Sequence, residues 1–304
     1  MNGHRTVRPL DRGLWGVLAT PFAGPGLDVD EESLRRQVRL FAEVGATGLV
    51  VLGVFGEAAA LDTREQSRVV SAVADEAGDV PLVVGLAARS TAAAVEQARS
   101  AVADVGGHLA GLMVQVHSPD PDVLAAHLRA VHDASGAGVV VQDYPVVSGV
   151  RISPAQVLAT LDRCPFVVAV KSEAPPTAAA VAALTAATDV PVFGGLGGVG
   201  LLDELAAGAA GAMTGFSHPE GLRAALSAWD GGGFPAARAA FAPWLPLVNF
   251  EAQPGIGLAL RKEILRRRGV LADAAVRPPA PPVPPHLSDL IDTHLAAVPA
   301  QVVG

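Results

Sequence analysis

The chain of 304 residues is 50% hydrophobic and only 17% charged, so it can bury a large core, and extended disorder is not expected. Its net charge of −8 argues against a general nucleic-acid surface, and no apolar run reaches the roughly 18 residues that a membrane span needs. Because Cys164 is the only cysteine and residues 1–13 contain no apolar signal segment, we expect a cytoplasmic protein without an internal disulfide.

Short apolar runs alternate with amphipathic stretches along most of the chain. The runs are almost continuously apolar and rich in Val and Leu, which is typical of parallel strands with both faces buried. Eight of them can be distinguished: Trp15–Ala19, Gly48–Leu52, Pro81–Gly85, Gly111–Val116, Gly138–Val141, Phe166–Val170, Pro191–Gly194 and Gly211–Thr214.

The stretches between the runs carry the signals of helices. Asp30 precedes apolar residues at helical spacing, while Asp120-Pro121 and Ser153-Pro154 each place an N-cap residue before a proline at the first helical position. Eight strand–helix units predict an α/β fold, namely a (β/α)8 TIM barrel. Strand counting alone leaves a doubly wound sheet open as the alternative.

The last part of the chain differs in composition from the rest. Gly231–Gly233 interrupts the chain, so we predict the barrel, with the active site, in residues 1–230 and a C-terminal helical domain in residues 231–304. Helical patterns flank Arg277–Pro285, a segment whose many prolines predict an extended linker.

Lys171 is unusual because the chain almost avoids lysine. Of the 22 basic residues, two are lysines, Lys171 and Lys262, and the other 20 are arginines. Arginine stays protonated in proteins, whereas a desolvated lysine can lose its proton and attack a carbonyl. Lys171 follows the apolar run Phe166–Val170, and the last inward residue of a barrel strand points at the mouth, where barrel enzymes carry out their chemistry. We therefore predict that Lys171 forms a Schiff base with a carbonyl substrate; a lysine that extends to solvent is the alternative.

Other candidate residues lie at neighbouring strand ends. Glu173 is on the same face as Lys171 and could hold it or accept protons, or could form an ion pair at the rim. Tyr144, the only tyrosine, could transfer a proton to the carbinolamine or simply pack. The amides of Gly194–Gly198 could bind a carboxylate or hydroxyls, with plain turn flexibility as the alternative.

The sequence offers no signal for a metal or a cofactor. No group of Cys or His residues has the spacing of a metal site, and Gly194–Gly198 lacks the spacing of a dinucleotide-binding turn. We therefore predict neither.

Four strand ends, in this order, resemble the dihydrodipicolinate synthase and N-acetylneuraminate lyase family of class I aldolases. They are Gly53–Glu57, Gln142–Pro145, Lys171–Glu173 and Gly194–Gly198. The resemblance implies a (β/α)8 barrel with a C-terminal helical domain, assembled as a homo-oligomer, a tetramer or a dimer. It implies a Schiff-base lyase, aldolase or dehydratase, that acts on a small 2-oxo acid through Lys171 at the end of strand six.

The chain departs from the typical family pattern around this lysine. Typical members have a pair of hydroxyl residues after strand two that binds the carboxylate of pyruvate, whereas this chain has Val54-Phe55. Gln142 stands where the family has its relay tyrosine, and Tyr144 follows two residues later on the same face. We predict that Tyr144 replaces the relay. The substrate is then less polar than the usual one, or is held by other donors.

The sequences at the ends of the fifth and sixth strands are similar to those of a sugar-acid branch of the family, the 2-keto-3-deoxy-L-arabonate dehydratases. There the lysine iminium supports proton removal and loss of water. The predicted catalytic residues are Lys171, Tyr144, Gln142 and Glu173. The predicted substrate-binding residues are Thr20, Gly53, Val54, Phe55, Ser148, Gly194 and Gly195.

Two alternatives remain open from the sequence. One is dihydrodipicolinate synthase itself, which the missing hydroxyl pair disfavours. The other is a non-catalytic descendant that binds a small metabolite or acts as an interaction protein. The lost hydroxyls favour this second alternative, and the retained Lys171 argues against it.

Overall fold

The computed structural model describes residues 7–299, and its centre is a closed barrel of eight parallel strands. Each strand pairs with its neighbours in the chain, and the last strand pairs with the first. The strands are β1 (Gly13–Val17), β2 (Gly48–Val51), β3 (Leu82–Leu86), β4 (Leu109–Gln115), β5 (Val139–Asp143), β6 (Val167–Ser172), β7 (Val192–Gly194) and β8 (Gly211–Thr214). Because the sheet is closed, the predicted TIM barrel is confirmed and the doubly wound sheet is excluded.

Helices follow the strands around the barrel. They are α1 (Glu31–Glu43), α2 (Thr63–Ala77), α3 (Thr91–Val105), α4 (Pro121–Ser135), α5 (Pro145–Ser148), α6 (Pro154–Leu161), α7 (Thr177–Thr185) and α8 (Leu201–Ala206). A short hairpin, Phe22–Ala23 with Asp28–Val29, lies outside the barrel. The predicted caps are present: the side chains of Asp30, Asp120 and Ser153 accept hydrogen bonds from the first turns of α1, α4 and α6, which satisfies amides that a helix start leaves unpaired.

Apolar side chains fill the interior of the barrel below its mouth. The interior cluster includes Trp15, Val50, Met113 and Phe193, and the rings of Trp15 and Phe193 meet edge to face at 6.5 Å. A larger cluster joins the outer faces of the strands to the helices. The barrel is therefore a packed core whose open end lies at the carboxyl ends of the strands.

The C-terminal region is helical, as predicted. It contains α9 (Pro219–Phe241), α10 (Leu245–Glu251), α11 (Gly257–Arg267) and α12 (Ser288–Ala297). The predicted boundary at residue 230 falls inside α9, which bends at Gly233 where φ is 63°. The placement of two domains on either side of this residue stays a prediction.

The proline-rich segment lies against the barrel. Residues 277–284 contain no helix or strand, as expected for an extended segment. Yet Arg277 forms an ion pair with Glu65 and donates hydrogen bonds to the carbonyls of Leu27 and Ala60, each at 2.8 Å. The predicted linker is thus fixed at the mouth of the barrel, beside the loop that follows β2.

Candidate active site

Lys171 is buried near the carboxyl end of β6 and faces the interior of the barrel. It is in register with Gln142 of β5 and Phe193 of β7, and Phe193 belongs to the interior cluster. Residues in register on neighbouring strands share a face of the sheet. With 5% of its surface exposed, Lys171 lies above the apolar interior and does not extend to solvent.

Glu173 is held beside this amine by groups from three strand ends. Its Oε2 lies 3.3 Å from Nζ of Lys171 and accepts a 2.7 Å hydrogen bond from Nε2 of Gln142. Its Oε1 accepts a 3.2 Å hydrogen bond from the backbone N–H of Leu196. Glu173 is itself buried and forms an ion pair with Lys171, and its role as a proton acceptor stays a prediction.

The turn after β7 is shaped to admit the Glu173 carboxyl group. A Cβ atom at Gly195 would collide with Oε1 of Glu173. Leu196, which donates to the same oxygen, has a positive φ of 50°, a conformation that costs energy for a residue other than glycine. The turn therefore needs a glycine at 195 to place a proton acceptor next to Lys171.

Most amides of the Gly194–Gly198 turn already have partners in the chain. Besides the amide that binds Glu173, Gly197 N–H donates to Oγ1 of Thr214 at 2.8 Å, and Gly198 N–H donates to the carbonyl of Gly195 at 3.0 Å. The turn thus orients protein groups through these amides. A substrate-binding role for Gly194 and Gly195 stays a prediction.

Tyr144 follows β5 directly and begins the short helix α5. Burial raises the pKa of its phenol, the charge of Glu173 raises it further, and the charge of Arg261 partly opposes both. The phenol therefore stays protonated at neutral pH and can act only as a proton donor or relay there. The relay role of Tyr144 stays a prediction.

Apolar side chains occupy the mouth next to β2. Val54 is 38% exposed, and Phe55 packs against the interior cluster. Phe55 also lies over Gly215, where a Cβ atom would collide with its ring. Thr20 donates a 2.6 Å hydrogen bond to the carbonyl of Gly56, so this hydroxyl fixes the loop that carries the two apolar residues.

A cleft of about 410 Å³ lies between the barrel mouth and the proline-rich segment. The residues that line it include Gly53, Val54, Arg89, Gln115, Gln142 and Arg277. The cleft thus reaches Gln142, the register neighbour of Lys171, whereas Lys171 itself is not among the residues that line it. Ser148 does not line it, but the Ser148 carbonyl accepts a 2.6 Å hydrogen bond from Arg89 and so orients that arginine.

A buried polar layer backs the strand that carries Lys171. Asp143, Ser172 and Gly194 are in register on the outer face, and a Cβ atom at Gly194 would collide with the carboxyl of Glu204 from α8. Within residues 7–299, Oδ1 of Asp143, Oγ of Ser172 and both carboxyl oxygens of Glu204 lack a well-aligned hydrogen-bond partner.

Burial raises the pKa of both carboxyl groups of this layer, those of Asp143 and Glu204. Burial and the charge of Glu173 raise the pKa of Asp143 to about 6. Burial raises the pKa of Glu204 to about 7 and outweighs the influence of the nearby Thr177 hydroxyl, which favours the charged form. Both groups lie close enough to Glu173 to sense its charge.

The sequence does not predict that three further residues, Glu204, Arg261 and Arg89, lie near the site. Glu204 and Arg261 sit in ordinary helical patterns, and Arg89 lies in a loop without a motif. Their positions depend on which helices and loops meet at the mouth, and no local sequence signal carries that information.

No metal site or membrane helix is evident in the described part of the chain. Across residues 7–299, no three side chains of His, Cys, Asp or Glu are placed to hold a metal ion. Over the same residues, every helix is too short or too polar to cross a bilayer.

A closed (β/α)8 barrel with a buried lysine and a fixed carboxyl group at its mouth defines a class of enzymes that act through a lysine amine. The Dihydrodipicolinate synthetase family matches residues 11–296, and the chain belongs to this family. The resemblance inferred from the strand ends is confirmed, and the protein is a lyase of this family.

Named relatives and a solved structure cover almost the whole chain. The chain is 33% identical to an L-2-keto-3-deoxyarabonate dehydratase of Azospirillum brasilense over 91% of each sequence. It is 33% identical to a 4-hydroxy-tetrahydrodipicolinate synthase of Kineococcus radiotolerans over 92% of this chain and 90% of that one. A crystal structure of dihydrodipicolinate synthase from Rhodopseudomonas palustris superimposes with a TM-score of 0.88 at 28% identity, covering 96% of this chain and 99% of that one.

Proposed function

We propose that this protein is a dehydratase that binds a sugar-derived 2-oxo acid as a Schiff base on Lys171 and eliminates water from it. The observation that carries the proposal is the position of Glu173, whose carboxyl lies 3.3 Å from the amine and is oriented by Gln142 and the Leu196 amide. The similarity to an L-2-keto-3-deoxyarabonate dehydratase supports the same reaction class.

The first steps use Lys171 and a proton donor. The amine attacks the C2 carbonyl of the substrate and forms a carbinolamine, whose hydroxyl leaves as water once it is protonated. In this proposal Tyr144 supplies the proton, because its phenol remains protonated at neutral pH. The product of these steps is an iminium that withdraws electrons from C3.

The elimination uses Glu173. The iminium makes the C3 proton acidic, and the fixed carboxylate removes it to give an enamine. The enamine electrons then expel the hydroxyl at C4, which takes up a proton and leaves as water. Hydrolysis of the resulting conjugated iminium frees Lys171, so the substrate has lost one molecule of water overall. The substrate must therefore carry a hydrogen at C3 and a hydroxyl at C4.

The mouth of the barrel argues against the synthase reaction. Neither Val54 nor Phe55 can donate a hydrogen bond from its side chain, and the Thr20 hydroxyl is directed to the Gly56 carbonyl. The carboxylate of the substrate must therefore be bound by other groups than a hydroxyl pair.

The proposal is tested by borohydride trapping with pyruvate and a panel of sugar-derived 2-oxo acids. We expect an added mass on Lys171, located by peptide mapping, and a product that has lost one water by NMR. A wild-type protein that never gains mass with any of these acids would contradict the Schiff base. Release of pyruvate and an aldehyde would show aldol cleavage in place of dehydration.

We also propose that the protein assembles as a homo-oligomer, a tetramer or a dimer, in the cytoplasm. The membership of the chain in this family supports an assembly. Light scattering coupled to size-exclusion chromatography measures the mass in solution, and a monomer at all concentrations would contradict the assembly.

A further inference from the structure

Arg261 brings a positive charge from the C-terminal region to the mouth of the barrel. It belongs to α11, and its guanidinium carbon lies 5.2 Å from the centre of the Phe55 ring. A guanidinium at this distance from an aromatic face is attracted by the ring. Phe55 therefore supports the guanidinium at the position where the chain lacks a hydroxyl.

The turn after β7 makes room for this guanidinium. A Cβ atom at Gly197 would collide with Nη2 of Arg261, and Gly197 has a φ of 71°. On the same turn, a Cβ atom at Gly195 would collide with Glu173. Arg261 and Glu173 thus contact glycines two positions apart, which places the guanidinium close to the carboxyl that faces Lys171.

Tyr144 provides a second link between these two charges. The phenol lies near enough to both for Glu173 to raise its pKa and for Arg261 to lower it. The phenol, the carboxyl and the guanidinium therefore lie near one another at the barrel mouth, and the carboxyl lies beside the amine of Lys171.

Only one edge of the guanidinium is engaged by the protein. Its Nε lies 3.2 Å from Oε2 of Glu251, a contact not aligned as a hydrogen bond. Glu251 is buried and accepts hydrogen bonds from the hydroxyl and the backbone N–H of Ser217. Among residues 7–299, the Nη groups of Arg261 have no hydrogen bond to the protein, although the side chain is only 13% exposed.

We propose that Arg261 binds the carboxylate of the 2-oxo acid substrate. The proposal rests on the Schiff-base function proposed above and names the group that orients its substrate. The planar guanidinium fork matches a carboxylate through two parallel hydrogen bonds. Arg261 and Phe55 together then replace the hydroxyl pair that the chain lacks.

The experiment compares a charged and a neutral oxo compound of nearly the same size. Borohydride trapping on Lys171 is titrated with pyruvate and with methyl pyruvate in the wild type, in Arg261→Met and in Arg261→Lys. Each variant is also made with Glu251→Gln, so that no buried carboxylate is left unpaired. Circular dichroism and thermal melting establish that every variant is folded.

We expect Arg261→Met to need about 10- to 100-fold more pyruvate for half-maximal trapping, because the variant loses a charge-assisted hydrogen-bonded pair with the carboxylate. Half-maximal trapping with methyl pyruvate should not change. Arg261→Lys should lie between the two, because lysine keeps the charge without the fork. An equal shift for the acid and the ester, or no shift for either, would overturn the proposal.

A binding measurement separates this proposal from the Schiff-base function. Pyruvate is titrated calorimetrically into Lys171→Ala and into Lys171→Ala with Arg261→Met. Binding to the first variant and at least about 10-fold weaker binding to the second supports Arg261 even if the wild type traps nothing. Equal affinity of the two, or no binding to either, overturns the role of Arg261 whatever the trapping shows.

Discussion

Lys171 and Lys262 are both buried, yet their surroundings differ in one decisive respect. Lys262 is fully buried, forms an ion pair with Glu57, donates a 2.8 Å hydrogen bond to the carbonyl of Ala275 and lies 4.3 Å from the centre of the Phe22 ring. Within residues 7–299, the one ion pair of Lys171 is with Glu173, at 3.3 Å. The amine of Lys262 is enclosed by partners. The amine of Lys171 has one ion-pair partner, and its register neighbour Gln142 lines the cleft.

The comparison shows that burial alone does not identify a nucleophile. Burial lowers the pKa of Lys262, although Glu57 opposes this effect. Its ammonium is nevertheless surrounded by a carboxylate, a carbonyl and a ring, so no substrate carbon can approach it. A reactive lysine needs desolvation together with an open direction of attack, and the proposed function assigns both to the strand end that carries Lys171.

The largest expected effect is that of Lys171→Ala. We expect kcat to fall by on the order of 10⁴-fold or more, since the covalent step is lost, and borohydride trapping to disappear. Lys171→Arg is the matched control, because it keeps the positive charge near Glu173 without a nucleophilic amine. A Lys171→Arg variant that retained turnover would show that charge, and not covalent chemistry, is needed at this position.

Lys262→Met should leave the chemistry intact and weaken the fold. The free energy of unfolding should fall by about 3–5 kcal/mol, since the variant leaves the carboxylate of Glu57 buried without its partner. Denaturant unfolding measures this loss, and the folded fraction should still trap substrate on Lys171. The double variant with Glu57→Gln should recover part of the stability. Trapping lost at unchanged stability would reverse the roles assigned to the two lysines.

Glu173→Gln separates Schiff-base formation from elimination. The amide can still pack beside Lys171 but cannot remove a proton, so we expect kcat to fall by about 10²- to 10⁴-fold while trapping persists. Single-turnover measurements of trapping and of water loss distinguish the two steps. A variant that loses trapping to the same extent as turnover would assign Glu173 to the positioning of the amine.

Glu204→Gln tests a buried carboxyl group that, within residues 7–299, lacks the close ion pair that each of the two lysines has. Its pKa of about 7 in the folded protein lies above the ordinary 4.5. The stabilisation from its protonated form is therefore complete below pH 4.5 and is lost as the pH rises through 7. The variant should remove this slope and be more stable at pH 8 by up to about 3 kcal/mol.

The measurement is the free energy of unfolding between pH 5 and 8, from denaturant curves. Asp203→Asn is the control, because Asp203 precedes Glu204 on the same helix but is exposed. We expect its curve to run parallel to that of the wild type. If Glu204→Gln also ran parallel, the carboxyl group would have to be charged and paired in the folded protein.

The sequence predicts those features that depend on neighbours along the chain. The apolar runs mark all eight strands, with ends that differ by no more than two residues. Gln142 and Lys171, for example, lie inside β5 and β6 and not just after them. Helix caps such as Asp30 also depend only on residues nearby in the chain, because its side chain accepts a hydrogen bond from the Ser33 N–H. The approach of Glu173 to Lys171 follows from the period of a strand.

The remaining features depend on contacts between distant segments. Arg261 reaches Phe55 across more than half of the chain, and Arg277 reaches Glu65 over 212 positions. The sequence indicates an extended segment at Arg277, which the structure shows, but not the barrel face against which it packs. Pairing of this kind is decided by the whole fold, so composition and periodicity do not reveal it.

The attachment of Arg277 has a consequence for biosynthesis. The loop after β2 contains Glu57 and leaves the ribosome early. The backbone N–H of Arg277, which donates a 2.9 Å hydrogen bond to Glu57, lies 220 positions later in the chain. At roughly 5–20 residues per second, translation delivers that partner on the order of ten seconds or more after the loop. A nascent chain can thus close its barrel before the wall of its cleft exists, so the mouth is completed only after the barrel that carries it.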